Sequence, residues 1–220
     1  MICGHEVWGN ASMKGKKIVI ISLAVLCATI SKVNANEICK DTWKKKTYYD
    51  ASGKAISRVD RIYDRNGKIQ KEHIYSLEGA PEGNYTDYET DEQGRVTEGI
   101  VYKENGSPMG ITLLYEYDKK GNLSKIIESA EELEQIMLYE YDDEGNVIHR
   151  KFLEDQNVFY DEEVENVYDQ NNRLIKSIRC IEAEGKETTY YQYNEYGQII
   201  KEQLFDMQNS LLGYFEYDYK

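Results

Sequence analysis

Along residues 48 to 220, tyrosine and aliphatic side chains stand at alternate positions with acidic residues between them, as in Tyr115-Glu116-Tyr117, Tyr139-Glu140-Tyr141 and Phe215-Glu216-Tyr217. A period of two places the rings on one face of a β-strand and the carboxylates on the other. The runs are cut at regular intervals by one unit: tyrosine, aspartate, two variable residues, glycine, one variable residue and an aliphatic. It reads Tyr63-Asp64 with Gly67 and Ile69, Tyr117-Asp118 with Gly121 and Leu123, and Tyr141-Asp142 with Gly145 and Val147. Degenerate copies start at Tyr49-Asp50, Thr90-Asp91, Tyr168-Asp169 and Tyr193-Asn194, and Tyr217-Asp218 opens another. From Gly67 onward the glycine slot recurs at 94, 121, 145, 172 and 197, spacings of 24 to 27 residues.

The exceptions say what the slots require. The glycine slot is once Asn172, and asparagine is the residue that best tolerates φ > 0 after glycine. The aspartate slot is once Asn194, whose side-chain oxygen can accept the same bond from a backbone N–H two residues on. Left-handed residue and short polar cap together specify a β-hairpin with a three-residue loop and a bulge. With 119–121 as loop, the expected register puts Asp118 opposite Asn122, Tyr117 opposite Leu123 and Tyr115 opposite Lys125. Tyrosine and aliphatic then form a cross-strand pair on one face.

Between these corners lie looser turns: 78–83, 104–108, near 130–134, 154–157, 182–185 and 207–209. Both prolines, Pro81 and Pro108, fall among them. Each repeat is therefore two strands. The prediction is an all-β meander of about 14 short strands, a twisted or curled single antiparallel sheet, since open sheets beyond about 10 strands curl or split. All the tyrosine-aspartate turns would line one rim and the irregular turns the other. Residues 130–138 have helical composition, but the repeat register places a turn and a strand start there.

Composition adds a compartment. Net charge is -13 with no basic stripe after residue 46, which argues against nucleic acid or an anionic membrane as partner. Twenty tyrosines argue against disorder. At the N-terminus, 13–17 (MKGKK) is a positive segment, 18–30 an apolar run, and Val33-Asn34-Ala35 a small-residue cleavage site. Residues 1–35 thus read as an N-terminal extension and cleaved signal peptide, with Met13 the expected initiator. The apolar run is short for a membrane span, which takes about 20 residues. The expectation is secretion to the periplasm, cell surface or beyond, with no membrane span after cleavage. Residues 36–47 read as a lead-in and 48–220 as the repeat domain. The processed chain would carry 23 basic and 39 acidic residues, a net -16, and keep two cysteines. Cys39 and Cys180 would be too far apart in a linear array to pair.

The corners YEYDKKGNL (115–123), YEYDDEGNV (139–147) and YQYNEYGQI (191–199) resemble the RHS/YD repeats of bacterial cell-surface and toxin-delivery proteins, over residues 48 to 220. The resemblance implies a β-hairpin array, often exported and not itself catalytic. Large members wind it into a shell around a toxic C-terminal domain, and this chain has far fewer repeats than such a shell. The stretch 102–118 is also similar to MORN-type repeats.

Chemistry is sparse. Paired carboxylates abound, but Glu116, Glu140 and Glu216 alternate with tyrosines on what reads as a solvated face. His73 and His149 lack neighbouring ligands at metal spacing, and no nucleophile elbow or phosphate loop is present. No enzyme, cofactor or metal is expected. The candidate site is an aromatic stripe of Tyr115, Tyr117, Tyr139, Tyr141, Tyr191 and Tyr193, able to stack sugars or receive a protein if exposed, and packed against Leu123, Val147 and Ile199 if inward. The expected role is a non-enzymatic exported module, binding or structural, with a protein or glycan partner at the cell surface. It would act through a sheet face or the irregular rim. The alternatives are an immunity-like inhibitor of a toxin and, last, a glycan hydrolase.

Overall fold

The computed structural model describes residues 12–13, 16–17, 42–77, 83–181 and 185–220. The chain divides into two units, Met1–Lys32 and Val33–Lys220. In the first, β1 (Ser12–Met13) and β2 (Lys16–Lys17) form a two-residue antiparallel ladder. The apolar run, the cleavage site and Cys39 lie outside the described residues.

The first strand of the second unit, β3 (Lys45–Asp50), starts within the expected lead-in. There follow β4 (Ala55–Tyr63), β5 (Ile69–Ser76), β6 (Asn84–Thr90), β7 (Val96–Lys103), β8 (Pro108–Tyr117) and β9 (Leu123–Ala130). Then come β10 (Leu133–Tyr141), β11 (Val147–Glu154), β12 (Asn157–Tyr168), β13 (Leu174–Ile181), β14 (Gly185–Tyr193), β15 (Ile199–Phe205) and β16 (Leu211–Asp218). Every strand pairs antiparallel with its sequence neighbours. The last pairs with the first, β16 against β3, so the expected open sheet is instead a closed 14-strand barrel. Closure satisfies two ladder edges that an open meander would leave to solvent. Residues 133–141 are strand, as the register required.

The corners have the expected chemistry. Asp118 Oδ1 accepts from the backbone N–H of Lys120 and of Asn122, both at 2.8 Å. Asn194 does the same with Tyr196 and Gln198 at 3.0 Å. Gly121, Gly145 and Asn172 have φ of 89°, 79° and 59°. Tyr117 faces Leu123, Tyr141 faces Val147 and Tyr193 faces Ile199.

Three details differ from expectation. A bulge beside each corner shifts the register by one, so Tyr115 faces Ile126, and Glu116 rather than Tyr115 faces Lys125. The turn at Asp50 joins β3 to β4 whereas that at Asp64 joins β4 to β5, so these two lie on opposite rims. Their glycines, Gly53 and Gly67, are one strand apart instead of two. The turn at 206–210, expected to be irregular, uses the same device: Asp206 Oδ1 accepts from Gln208 and Ser210, and Asn209 has φ of 60°.

These corners set a stability ranking. Gly121→Val and Gly145→Val should each cost more than about 1 kcal/mol, because a β-branched residue at positive φ is strained. Asn172→Gly should be neutral or stabilising. Urea unfolding of the three variants tests it, and the reverse order would refute the turn assignment.

Candidate functional site

Alternation along each strand gives the barrel an inner and an outer face. The outer face carries charge on most strands, including Glu116, Lys125, Lys151, Asp161, Glu163, Glu165 and Lys201. Several pair across strands: Lys71 with Asp87 at 3.0 Å, Lys125 with Glu116 at 3.2 Å and Lys201 with Glu216 at 3.1 Å. A lipid-facing strand would tolerate these poorly, since a basic residue at the bilayer midplane costs about 2–4 kcal/mol. The charges suit water.

All six tyrosines of the aromatic stripe face inward. Tyr139 is buried, and Tyr115, Tyr117, Tyr141, Tyr191 and Tyr193 are half-buried. The stripe is a lining, opposite the aliphatics named from sequence, and offers no outward platform. Burial holds the phenols of Tyr115, Tyr117, Tyr141 and Tyr191 well above the usual range.

The hydroxyls have partners of a recurring kind. Tyr117 donates to the carbonyl of Val96 at 2.8 Å, Tyr141 to that of Leu123 at 2.7 Å, and Tyr193 to that of Leu174 at 2.6 Å. Each acceptor is the aliphatic slot of the preceding repeat. Tyr219 reaches the carbonyl of Ile199 at 2.9 Å in the same way. Tyr168 departs from the pattern, donating to the Asp142 carboxylate while accepting from Asn146. The tyrosine therefore joins repeats as well as faces of one hairpin.

The inner face also holds charges, none of which the sequence reading singled out. Lys46 and Glu202 are 2% and 3% exposed, with Lys46 Nζ 3.9 Å from Glu202 Oε2. Tyr217 donates to Glu202 Oε1 at 2.7 Å, and Lys46 Nζ lies 4.1 Å from the centre of the Phe215 ring. Burial pushes Lys46 down to about 8 against the opposing pull of Glu202, and burial raises Glu202. Next to this group, Arg61 Nε pairs with Glu72 Oε1 at 2.5 Å and stacks 3.8 Å from the Trp43 ring. Tyr88 donates to Glu72 Oε2 at 2.7 Å. A third cluster joins Arg150 to Glu162 at 2.5 Å, with Arg179 3.8 Å from Glu162 and paired to Glu187.

A signal for this lining was present. Glu72 stands two residues from Ile74, Arg150 two from Phe152 and Glu162 two from Val164, in phase with apolar positions. Each cation is matched to a carboxylate, and Lys46 and Arg61 also lie over aromatic rings, so the clusters read as structural pairs. Among the described residues no group of three or more His, Cys, Asp or Glu could hold a metal ion. Cys180 is a free thiol on β13, facing outward beside Glu163 and Lys186.

Exposed apolar side chains occur at both rims. Leu77, Val158, Phe159 and Met207 sit at or just beside turns joining an odd-numbered strand to the next even one, with Phe159 62% and Met207 60% exposed, while Tyr196, 73% exposed, and Ile62, Val167, Ile175 and Ile200 lie at or beside the turns of the other rim.

No protein-family model matches this chain. No curated protein matches it either. Similar solved structures include porin-like proteins from Bacteroides uniformis and Bacteroides vulgatus. Each is 12% identical, covering 81% of this chain and 98% of the other, with TM-scores of 0.45 and 0.42. The Photorhabdus luminescens Tc holotoxin pore is similar at 15% identity over 71% of this chain and 9% of that one, with a TM-score of 0.30.

The buried pair at the closure makes a sharp prediction. Lys46→Met or Glu202→Leu alone should cost about 3–5 kcal/mol, because each leaves a buried charge uncompensated. The double variant should recover most of that loss. Equilibrium unfolding of all four proteins in a double-mutant cycle measures the coupling, and additive single effects would show that the two groups are not a pair.

Proposed function

We propose that this chain is a non-enzymatic exported bacterial repeat protein, built of YD-type hairpins, that acts as a binding module at the cell envelope or outside the cell. The observation that carries this reading is the pairing inside the barrel. Lys46, Arg61, Arg150 and Arg179 meet carboxylates, and tyrosine hydroxyls of the lining donate to backbone carbonyls or to carboxylates. Activity then belongs to the outside of the barrel. Export is supported by the basic segment 13–17, the apolar run 18–30 and the small residues before Asn36. The YD relationship is supported by the shared corner, in which an Asx cap and a left-handed residue recur at fixed offsets from an inward tyrosine.

The partner in this reading is a protein, engaged through the rim bearing Leu77, Val158, Phe159 and Met207. Exposed apolar side chains at loop ends can anchor an interface, and charged strand faces beside them supply its polar border. The strong negative charge directs the choice of partner toward a basic surface.

Fractionation and capture test this together. The processed protein, beginning at Asn36 by mass spectrometry, should appear in the periplasmic or culture fraction, and deletion of 18–30 should retain it in the cytoplasm. Immobilised on beads, it should enrich one protein from those fractions. Phe159→Ser with Met207→Ser should lower that capture roughly tenfold or more while the barrel stays folded, as loss of an apolar anchor costs about 2 kcal/mol. Unprocessed protein in the cytoplasm, or capture indifferent to the rim, would overturn the proposal.

A further inference from the structure

We propose that His149 is a proton-operated latch that ties β10, β11 and β12 together on the outer face of the barrel and loosens when the imidazole loses its charge. His149 lies on β11, with Glu140 as its register partner on β10 and Glu163 on β12. Its Nε2 is 2.5 Å from Asp161 Oδ1, and its Nδ1 is 3.5 Å from Glu140 Oε1. A neutral imidazole has one N–H and can donate to only one of them. The imidazolium donates from both nitrogens, and so reaches carboxylates on two different strands at once.

The charge balance of the cluster points the same way. Glu140 from β10, Lys151 from β11, and Asp161 and Glu163 from β12 are the charged groups around the ring. Lys151 Nζ already shares Asp161, at 2.9 Å. With His149 neutral, three carboxylates face one cation. With it charged, two cations bridge them. The hydrogen bond to Asp161 raises the histidine above its ordinary value, partial burial opposes this, and the charges of Asp161, Glu140 and Glu163 add to the rise. On the inner face, the next residues along, Arg150 and Glu162, pair across the same β11–β12 boundary. The outer contact is therefore the titratable half of a two-sided join.

The sign follows from linkage. A group protonated more readily in the folded state contributes stability that is complete below its unfolded value, about 6.5, and is lost as pH rises through the higher folded value. Loosening is thus an alkaline response, centred above pH 6.5 or so.

Two measurements decide it on the exported form of the protein. In a proton NMR titration, the His149 ring should have its midpoint above about 6.5, and Asp161→Asn should move it down. Hydrogen exchange, corrected for intrinsic rate, should show amides of β11 and β12 losing protection several-fold as pH passes the wild-type midpoint. In His149→Gln that pH step should vanish. Asp161→Asn reports on the latch through the NMR midpoint even where the glutamine variant proves too unstable for exchange. A midpoint at or below the ordinary histidine value would overturn the latch, and so would a protection step that survives in His149→Gln.

Discussion

The hydrogen bonds at the tyrosine-aspartate corners fix everything downstream of them. An aspartate or asparagine oxygen accepts two backbone N–H groups across the loop, and a residue at positive φ closes it. That geometry admits one register between the two strands that leave it. A slip of one residue would send the lining tyrosines to the water side and the outer carboxylates inward. Because the corner recurs along the chain, each hairpin inherits the same assignment of faces, and the inner sides join into one surface.

Closure then decides what that surface must contain. An open sheet could leave its edges and one face to solvent, whereas the β16–β3 seam turns one face into an interior. Gly213 illustrates the fit at the seam: a Cβ there would come within 2.5 Å of the Tyr48 hydroxyl, so the tyrosine lies where a side chain would stand. Lys46 crosses the same seam between Phe215, Tyr217 and Glu202. A buried ammonium is tolerable only with a carboxylate and rings around it, and these come from β15 and β16, the far end of the chain. The seam is thus held by contacts between residues more than 150 positions apart.

This distance explains what the sequence could reveal. The corners were legible because their chemistry is local: Asp118, Gly121 and the substitutes Asn172 and Asn194 carry the constraint within five residues. Strand number followed from counting corners. Closure was not legible, since β16 and β3 carry the same alternation whether they pair with each other or with solvent. The placement of Tyr49-Asp50 on the opposite rim was readable from the short spacing of Gly53 and Gly67, but only by giving spacing precedence over motif likeness. The charged lining was half visible. Glu72, Arg150 and Glu162 sit in phase with apolar neighbours, yet a charge at an apolar phase means burial only once the partner strand bringing its counter-charge is known.

Tyrosine rather than phenylalanine at the corner has a reason that only the closed structure supplies. A ring suffices to cover Leu123 or Val147, and phenylalanine would do that as well. The hydroxyl reaches past the hairpin to the carbonyl in the aliphatic slot of the repeat before, at Val96, Leu123, Leu174 and Ile199. Those carbonyls lie beside the bulge, where the regular ladder is interrupted and an acceptor would otherwise lack a strand partner. The same bulge that lets the corner turn therefore creates the acceptor that the next tyrosine fills. In these repeats the cost of bending one hairpin is offset by the side chain of its neighbour, which is why the aromatic stripe is a seam inside the barrel and not a surface outside it.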